Sequence, residues 1–208
     1  QYYPAWYSLK AKQTISAYAL YVRMKMNDVD TSKAKALIDD QGLEALSLDA
    51  IAWIWQVLLQ DPQYETTVAA IRRHVGNQVV ETAGAANFFN SFEDDDYVLL
   101  HSNRRTDALL LDAMIADDPE SDLIPKIITG LQANRTKGRW DNTQENVFVL
   151  LAMDNYFDTY ESEEPDFIAR IWLGDTYAAE STFSGYSTDR YQTIVPMQNL
   201  VEILGENG

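Results

Sequence analysis

The chain has 208 residues, 46% of them hydrophobic, and no cysteine. That is enough to bury a sizeable core, most simply as one domain with an appendage, and it excludes disulfides and thiolate chemistry. Thirty-two acidic residues against 16 basic ones give a formal charge of −16, which argues against nucleic acid and anionic lipid as partners, since both are bound through clustered Lys and Arg. No apolar run approaches the ~20 residues that cross a bilayer, and the start at Gln1 shows no signal-peptide pattern. A start without Met and an end on Gly-Glu-Asn-Gly make the chain read as a piece of something longer.

Tyr2, Tyr3, Trp6 and Tyr7 around Pro4 suit an aromatic lead-in lying across helix ends. From Lys12 to Asn27, Ile15, Ala19, Val22 and Met26 recur at helical spacing. Thr31 can cap a second helix through about Asp40, with Gly42 as its stop. Leu48 to Leu59 is apolar nearly all round and should be buried. Asp61-Pro62 opens an amphipathic helix whose stripe is Val68, Ile71 and Val75. Gln78 to Phe92, with Val79-Val80, Gly84 and Phe88-Phe89, reads as a short hairpin interrupting the helices.

Thr106 to Ala116 is helical, Asp118-Pro119 restarts the chain, and a further helix runs from about Ser121 to Asn134. Asn142 or Asp141 can then cap a helix, with Glu145 or Gln144 three residues on, that continues into Val147-Phe148-Val149-Leu150-Leu151-Ala152-Met153. This helix is apolar on more than one face, so it is expected to be covered on several sides. Trp140 in the loop before it can plug the gap between helix ends, and Gly138 can supply a positive φ.

Glu161 to Pro165 is a polar run ending on a helix stop. Beyond it Phe167, Ala169, Ile171 and Leu173 alternate, Gly174-Asp175 can turn, and Tyr177, Ala179, Ser181 and Phe183 alternate back, with a further extended stretch at Tyr191 to Met197. Two or three strands make a sheet too small to stand alone.

Ser47-Leu48-Asp49-Ala50, Asp61-Pro62 and Ile71 are paralleled by Arg105-Thr106-Asp107-Ala108, Asp118-Pro119 and Ile128. The offset of about 57 residues suits a repeated helix hairpin with an apolar inner and a half-polar outer member. The expected fold is therefore mainly α: an alpha/alpha toroid or solenoid of helix hairpins over residues 1–162, followed by a small antiparallel β segment over 163–208.

Several constellations are candidates for chemistry. Asp94-Asp95-Asp96 offers oxygen ligands for Ca²⁺ or Mg²⁺, but the spacing matches no loop template and a solvated loop accounts for it. His74 and His101 are the two histidines, with no cysteine to complete a zinc site; His101 is expected to hydrogen-bond near a helix start. Asp49 and Asp107 could form a carboxylate pair for glycoside hydrolysis, or simply occupy first helical turns, where free N–H groups favour an anion. Arg104-Arg105 and Arg135-Lys137-Arg139 are the basic clusters, suited to helix C-termini or acidic loops. Trp53, Trp55 and Trp140 could line an apolar cavity, as in terpene cyclases, or belong to the core. None of these is assigned as a catalytic, cofactor or metal residue.

Gly138 to Phe157, together with Leu99 to Ala108, Ile168 to Gly174 and Val195-Pro196-Met197, resembles the bacterial branch of the alpha-2-macroglobulin family. The likeness is to the second half of its thioester-type toroid and the adjoining strands. It implies that the helices are part of a ring of ~12, that the strands belong to a CUB-type β domain, and that the parent is a broad-spectrum endopeptidase inhibitor that traps proteases by conformational collapse. It also implies that proteases and neighbouring macroglobulin domains are the partners, in an extracellular, periplasmic or membrane-tethered protein. The family's thioester joins a Cys to a Gln in Cys-Gly-Glu-Gln; this chain has no Cys, so Thr143-Gln144-Glu145 cannot form it. An alpha/alpha-barrel hydrolase or cyclase and a non-inhibitory scaffold module are the rival expectations.

Overall fold

The structure is a computed structural model that describes residues 3–89, 99–160, 165–185 and 194. Tyr2, the Asp94-Asp95-Asp96 run with the hairpin's predicted end at Phe92, the polar residues 161–164 and the stretch from Tyr191 to Met197, apart from Ile194, lie outside the described residues. The chain divides into two compact units, 1–159 and 160–208.

The first unit is helical. Ser8 caps α1 (Leu9–Lys25) by accepting from Ala11 N at 3.0 Å. α2 (Thr31–Gln41) is capped by Asp30, one residue earlier than expected, because the Asp30 carboxylate reaches Lys33 N at 3.2 Å. It ends on Gly42 at φ 82. Ser47 caps α3 (Leu48–Leu58), all of whose residues are buried. Asp61 caps a single 3-10 turn at Pro62–Tyr64, after which α4 (Glu65–Gly76) buries Val68, Ile71 and Val75, the predicted stripe. β1 (Val79–Glu81) and β2 (Ala86–Phe88) pair antiparallel. α5 (Asn103–Asp117), α6 (Leu123–Ala133) and α7 (Thr143–Tyr160) complete the unit.

These helices form two layers. α3 packs between α1 and α5, and α2, α4 and α6 lie against the outside of this inner row. An inner helix has neighbours on several sides, which is why α3 can be apolar all round, whereas α4 needs only one stripe. The fold is thus mainly α with small antiparallel β elements.

One expectation about helix faces is corrected, that of α7. α1 is a helix, as the spacing of its apolar residues predicts; it buries Ala11, Thr14, Ala17 and Leu20, and Ile15, Ala19 and Val22 are half-buried. Small residues let α1 approach α3 closely, and the Thr14 hydroxyl reaches the Ser47 hydroxyl at 2.8 Å; Met26 stays in solvent. α7 is not covered on several sides. It buries Glu145, Val149, Ala152 and Met153, while Leu150 and Leu151 are 58% and 60% exposed. The reason is position: among the described residues, α7 meets packed helices, α3 and α5, on one flank only.

The second unit contains β3 (Asp166–Leu173) and β4 (Thr176–Ser184), an antiparallel hairpin in which Phe167 faces Phe183 and Leu173 faces Thr176. Gly174 turns the chain at φ 58, and the Phe167 and Phe183 rings stack at 4.9 Å. Phe167, Ile168, Ile171 and Trp172 are exposed, and among the described residues this sheet has two strands.

Candidate functional site

Two helix caps assemble the most unusual chemistry in the chain. Ser47 starts α3 so that Asp49 lies in its first turn. Ser102 starts α5, accepting from Arg105 N at 3.1 Å, which places Arg105 and Thr106 opposite. Thr106 Oγ1 donates to Asp49 Oδ1 at 2.6 Å, Arg105 Nη2 lies 3.0 Å from Asp49 Oδ2, and His101 Nδ1 lies 2.8 Å from the same oxygen. Asp49 is wholly buried. Burial opposes its ionisation, but hydrogen bonds from His101 and Thr106 and the charge of Arg105 prevail, holding the carboxyl below its ordinary range.

Arg105 extends this cluster to a surface. Its guanidinium donates to the carbonyls of Leu99 and Leu100 and lies over the rings of Trp53 and Phe148, at 5.6 and 5.4 Å. Leu100 adopts φ 51, a conformation that costs a branched residue energy and that these carbonyl bonds help to hold. Trp53 and Arg105 help line a cavity of about 280 Å³, together with Ile15 and Tyr18 from α1 and Gln144 and Phe148 from α7. Aromatic faces dominate it, with Tyr18 and Trp53 4.8 Å apart. Asp49 is not among its lining residues. Such a concavity can accept an apolar group, and among the described residues no carboxylate lines it.

Asp107 is the fifth residue of α5, in its second turn rather than its first. It accepts from Phe88 N at 2.7 Å and lies 3.2 Å from Arg104 Nη2, which places it under the β1–β2 hairpin. Burial pushes its carboxyl up to about 7; Arg104 and the Phe88 N–H pull it down, and Glu145 pushes it further up. Asp49 and Asp107 are therefore not a facing pair. Asp49 is bonded by His101, Arg105 and Thr106, and Asp107 by Phe88 N and Arg104.

His74 meets Gln78 at 2.7 Å, on α4 and away from the Asp49 cluster. Among the described residues no group of three metal-ligating side chains occurs. Trp55 lines a smaller cavity of about 130 Å³ with Arg72 and Met114. Trp140 is buried between α6 and α7, its indole donating to Leu131 O at 2.9 Å. Arg135 lies over its ring at 5.6 Å, and Gly138 takes φ 84. Asn142 and Glu145 cap α7: Asn142 Oδ1 accepts from Glu145 N at 3.0 Å, and Glu145 Oε2 accepts from Asp141 N at 2.9 Å. Sequence reasoning missed the convergence of His101, Arg105 and Thr106 on Asp49. The signal was the repeat, whose alignment sets Asp49 against Asp107 and so brings the preceding residues Arg105 and Thr106 close to Asp49.

The chain matches no family model and no solved structure at a significant level. It is 26% identical over 198 residues, 88% of its length, to the circularly permutated Ras protein 2 of Dictyostelium discoideum. Over 93 residues, 45% of its length, it is 30% identical to the alpha-2-macroglobulin homolog of a Nostoc species. It spans about 5% of the length of each relative. Ras nucleotide chemistry rests on a G-x-x-x-x-G-K-[ST] phosphate loop, and the chain contains no such motif. What it has in common with the Nostoc protein is a stretch of sequence from a bacterial macroglobulin homolog, similar across nearly half of the chain.

Proposed function

We propose that the chain is a segment of a macroglobulin-type protein that inhibits endopeptidases by trapping them, and that it contributes a partial alpha/alpha toroid with adjoining strands. The observation that carries this reading is the similarity to the macroglobulin homolog, on a chain whose helices alternate between an inner and an outer row. Its residues then pack and dock rather than react: Asp49 is sealed by His101, Arg105 and Thr106, and Asp107 holds a hairpin. With no Cys, this segment forms no thioester. Proteases are partners through the whole protein, neighbouring macroglobulin domains are partners within it, and its place is extracellular or periplasmic.

The test uses the complete parent protein mixed with endopeptidases of different specificity. Trapping leaves a small chromogenic peptide cleavable while protecting a large protein substrate from the same protease. If both substrates are cleaved as fast as in the absence of the parent, the inhibitor reading fails.

A further inference from the structure

The chain carries a net charge of −16, yet Arg135, Lys137 and Arg139 stand together on the loop between α6 and α7, and all three are exposed. Arg23, Arg72, Arg104, Arg105 and Arg170 are each paired with a carboxylate. Among the described residues no carboxylate is paired with Arg135, Lys137 or Arg139.

The loop is also rigid. Thr136 N donates to Arg139 O at 2.9 Å and Arg139 N to Thr136 O at 3.2 Å, closing a two-residue turn. Lys137 and Gly138 occupy it at φ 52 and 84, the left-handed pair that such a tight turn demands. Its base is fixed by Trp140, whose backbone N–H and carbonyl are both held by the Asn146 side chain. Arg135 is held against the Trp140 ring. The end of α6 at Ala133 attracts a cation to its last turn, but that attraction fades within one turn. Lys137 and Arg139 lie beyond its reach.

We propose that this turn is a docking point for a short acidic segment of a protein partner. A preformed turn loses little freedom on binding, so its charges act with less entropic cost than three flexible side chains would. The chain's overall negative charge repels an extended polyanion such as a membrane or nucleic acid over a wide face. A short acidic segment engages the turn alone, because at physiological salt charges beyond about 8 Å are screened. The proposal does not depend on the macroglobulin reading.

The experiment measures the fluorescence anisotropy of a labelled hexaglutamate peptide against the chain at roughly 50 and 150 mM salt. The variants are K137N/R139Q, which keeps a residue tolerant of the left-handed turn, and R73Q, which removes an exposed cation from α4. Wild type and R73Q should bind alike, with affinity falling as salt rises, and K137N/R139Q should bind at least about fivefold more weakly with an unchanged melting temperature. Absence of wild-type binding at low salt, or equal binding by K137N/R139Q, overturns the proposal. So does binding to phosphatidylserine vesicles in preference to the peptide.

Discussion

Asp49 and Asp107 align in the sequence repeat, and burial acts on both, yet their surroundings drive them in opposite directions. Asp49 has three donors, which outweigh its burial and hold its carboxyl low; Asp107 has one N–H and one guanidinium, which do not offset its desolvation. Replacing Asp49 by Asn leaves Arg105 as a buried cation without its anion, which should cost about 3–5 kcal/mol in urea unfolding at neutral pH. Because its carboxyl is held low, the stability it contributes is present above about pH 4 and lost as pH falls further. Asp107 has the other sign. Its folded value of about 7 lies above the ordinary one, so its contribution is complete below about pH 4 and is lost as pH rises through 7. Asp107→Asn keeps an acceptor for Phe88 N and removes the charge. It should therefore gain on wild type by a few kcal/mol, at most about 4, between pH 4 and 8, as read by melting temperature across that range.

At the scale of elements, the β1–β2 hairpin is a wedge between α5 and α6. Phe88 and Ala86 are wholly buried, Arg104 reaches the Asn87 side chain at 2.6 Å, and Lys126 on α6 pairs with Glu81. The seat is tight: a Cβ at Gly130 would stand 2.5 Å from Ala86 O. A backbone oxygen cannot swing aside, so the hairpin would have to lift. Gly130→Ala gains up to about 1 kcal/mol of helix propensity but should lose about 1–3 kcal/mol by overpacking. A lowered melting temperature is expected, and an unchanged or raised one would mean that the hairpin gives way freely.

At the scale of the whole molecule, one flank of α7 is apolar and exposed. Val147, Leu150, Leu151 and Phe157 are exposed on an otherwise well-formed helix, and among the described residues no helix is long and apolar enough to cross a membrane. A solvent-facing apolar patch of this kind promotes association. Leu150→Gln with Leu151→Gln should change the stability of the chain by less than about 0.5 kcal/mol, because both side chains are already in water. It should also lower its weight-average mass in sedimentation at high concentration. A loss of several kcal/mol would show that the chain itself covers this flank.

The sequence by itself determined what depends on neighbours along the chain. The capping box before α7, the Asp61-Pro62 start, the stripe of α4, the all-round burial of α3 and the register of the β3–β4 turn each rest on propensity and periodicity over a few residues. It also showed the repeat, and through it the mainly α fold. Only the tertiary structure decided which of two plausible apolar faces α1 buries, since Ala11, Thr14 and Ala17 matter through the closeness of α3 and not through their own hydrophobicity. It alone placed His101, Arg105 and Thr106 around Asp49, gathered from positions more than 50 residues away. And it alone left one flank of α7 in water, because a pattern of apolar residues records that a surface wants covering, and only packing settles whether a neighbour is there to cover it.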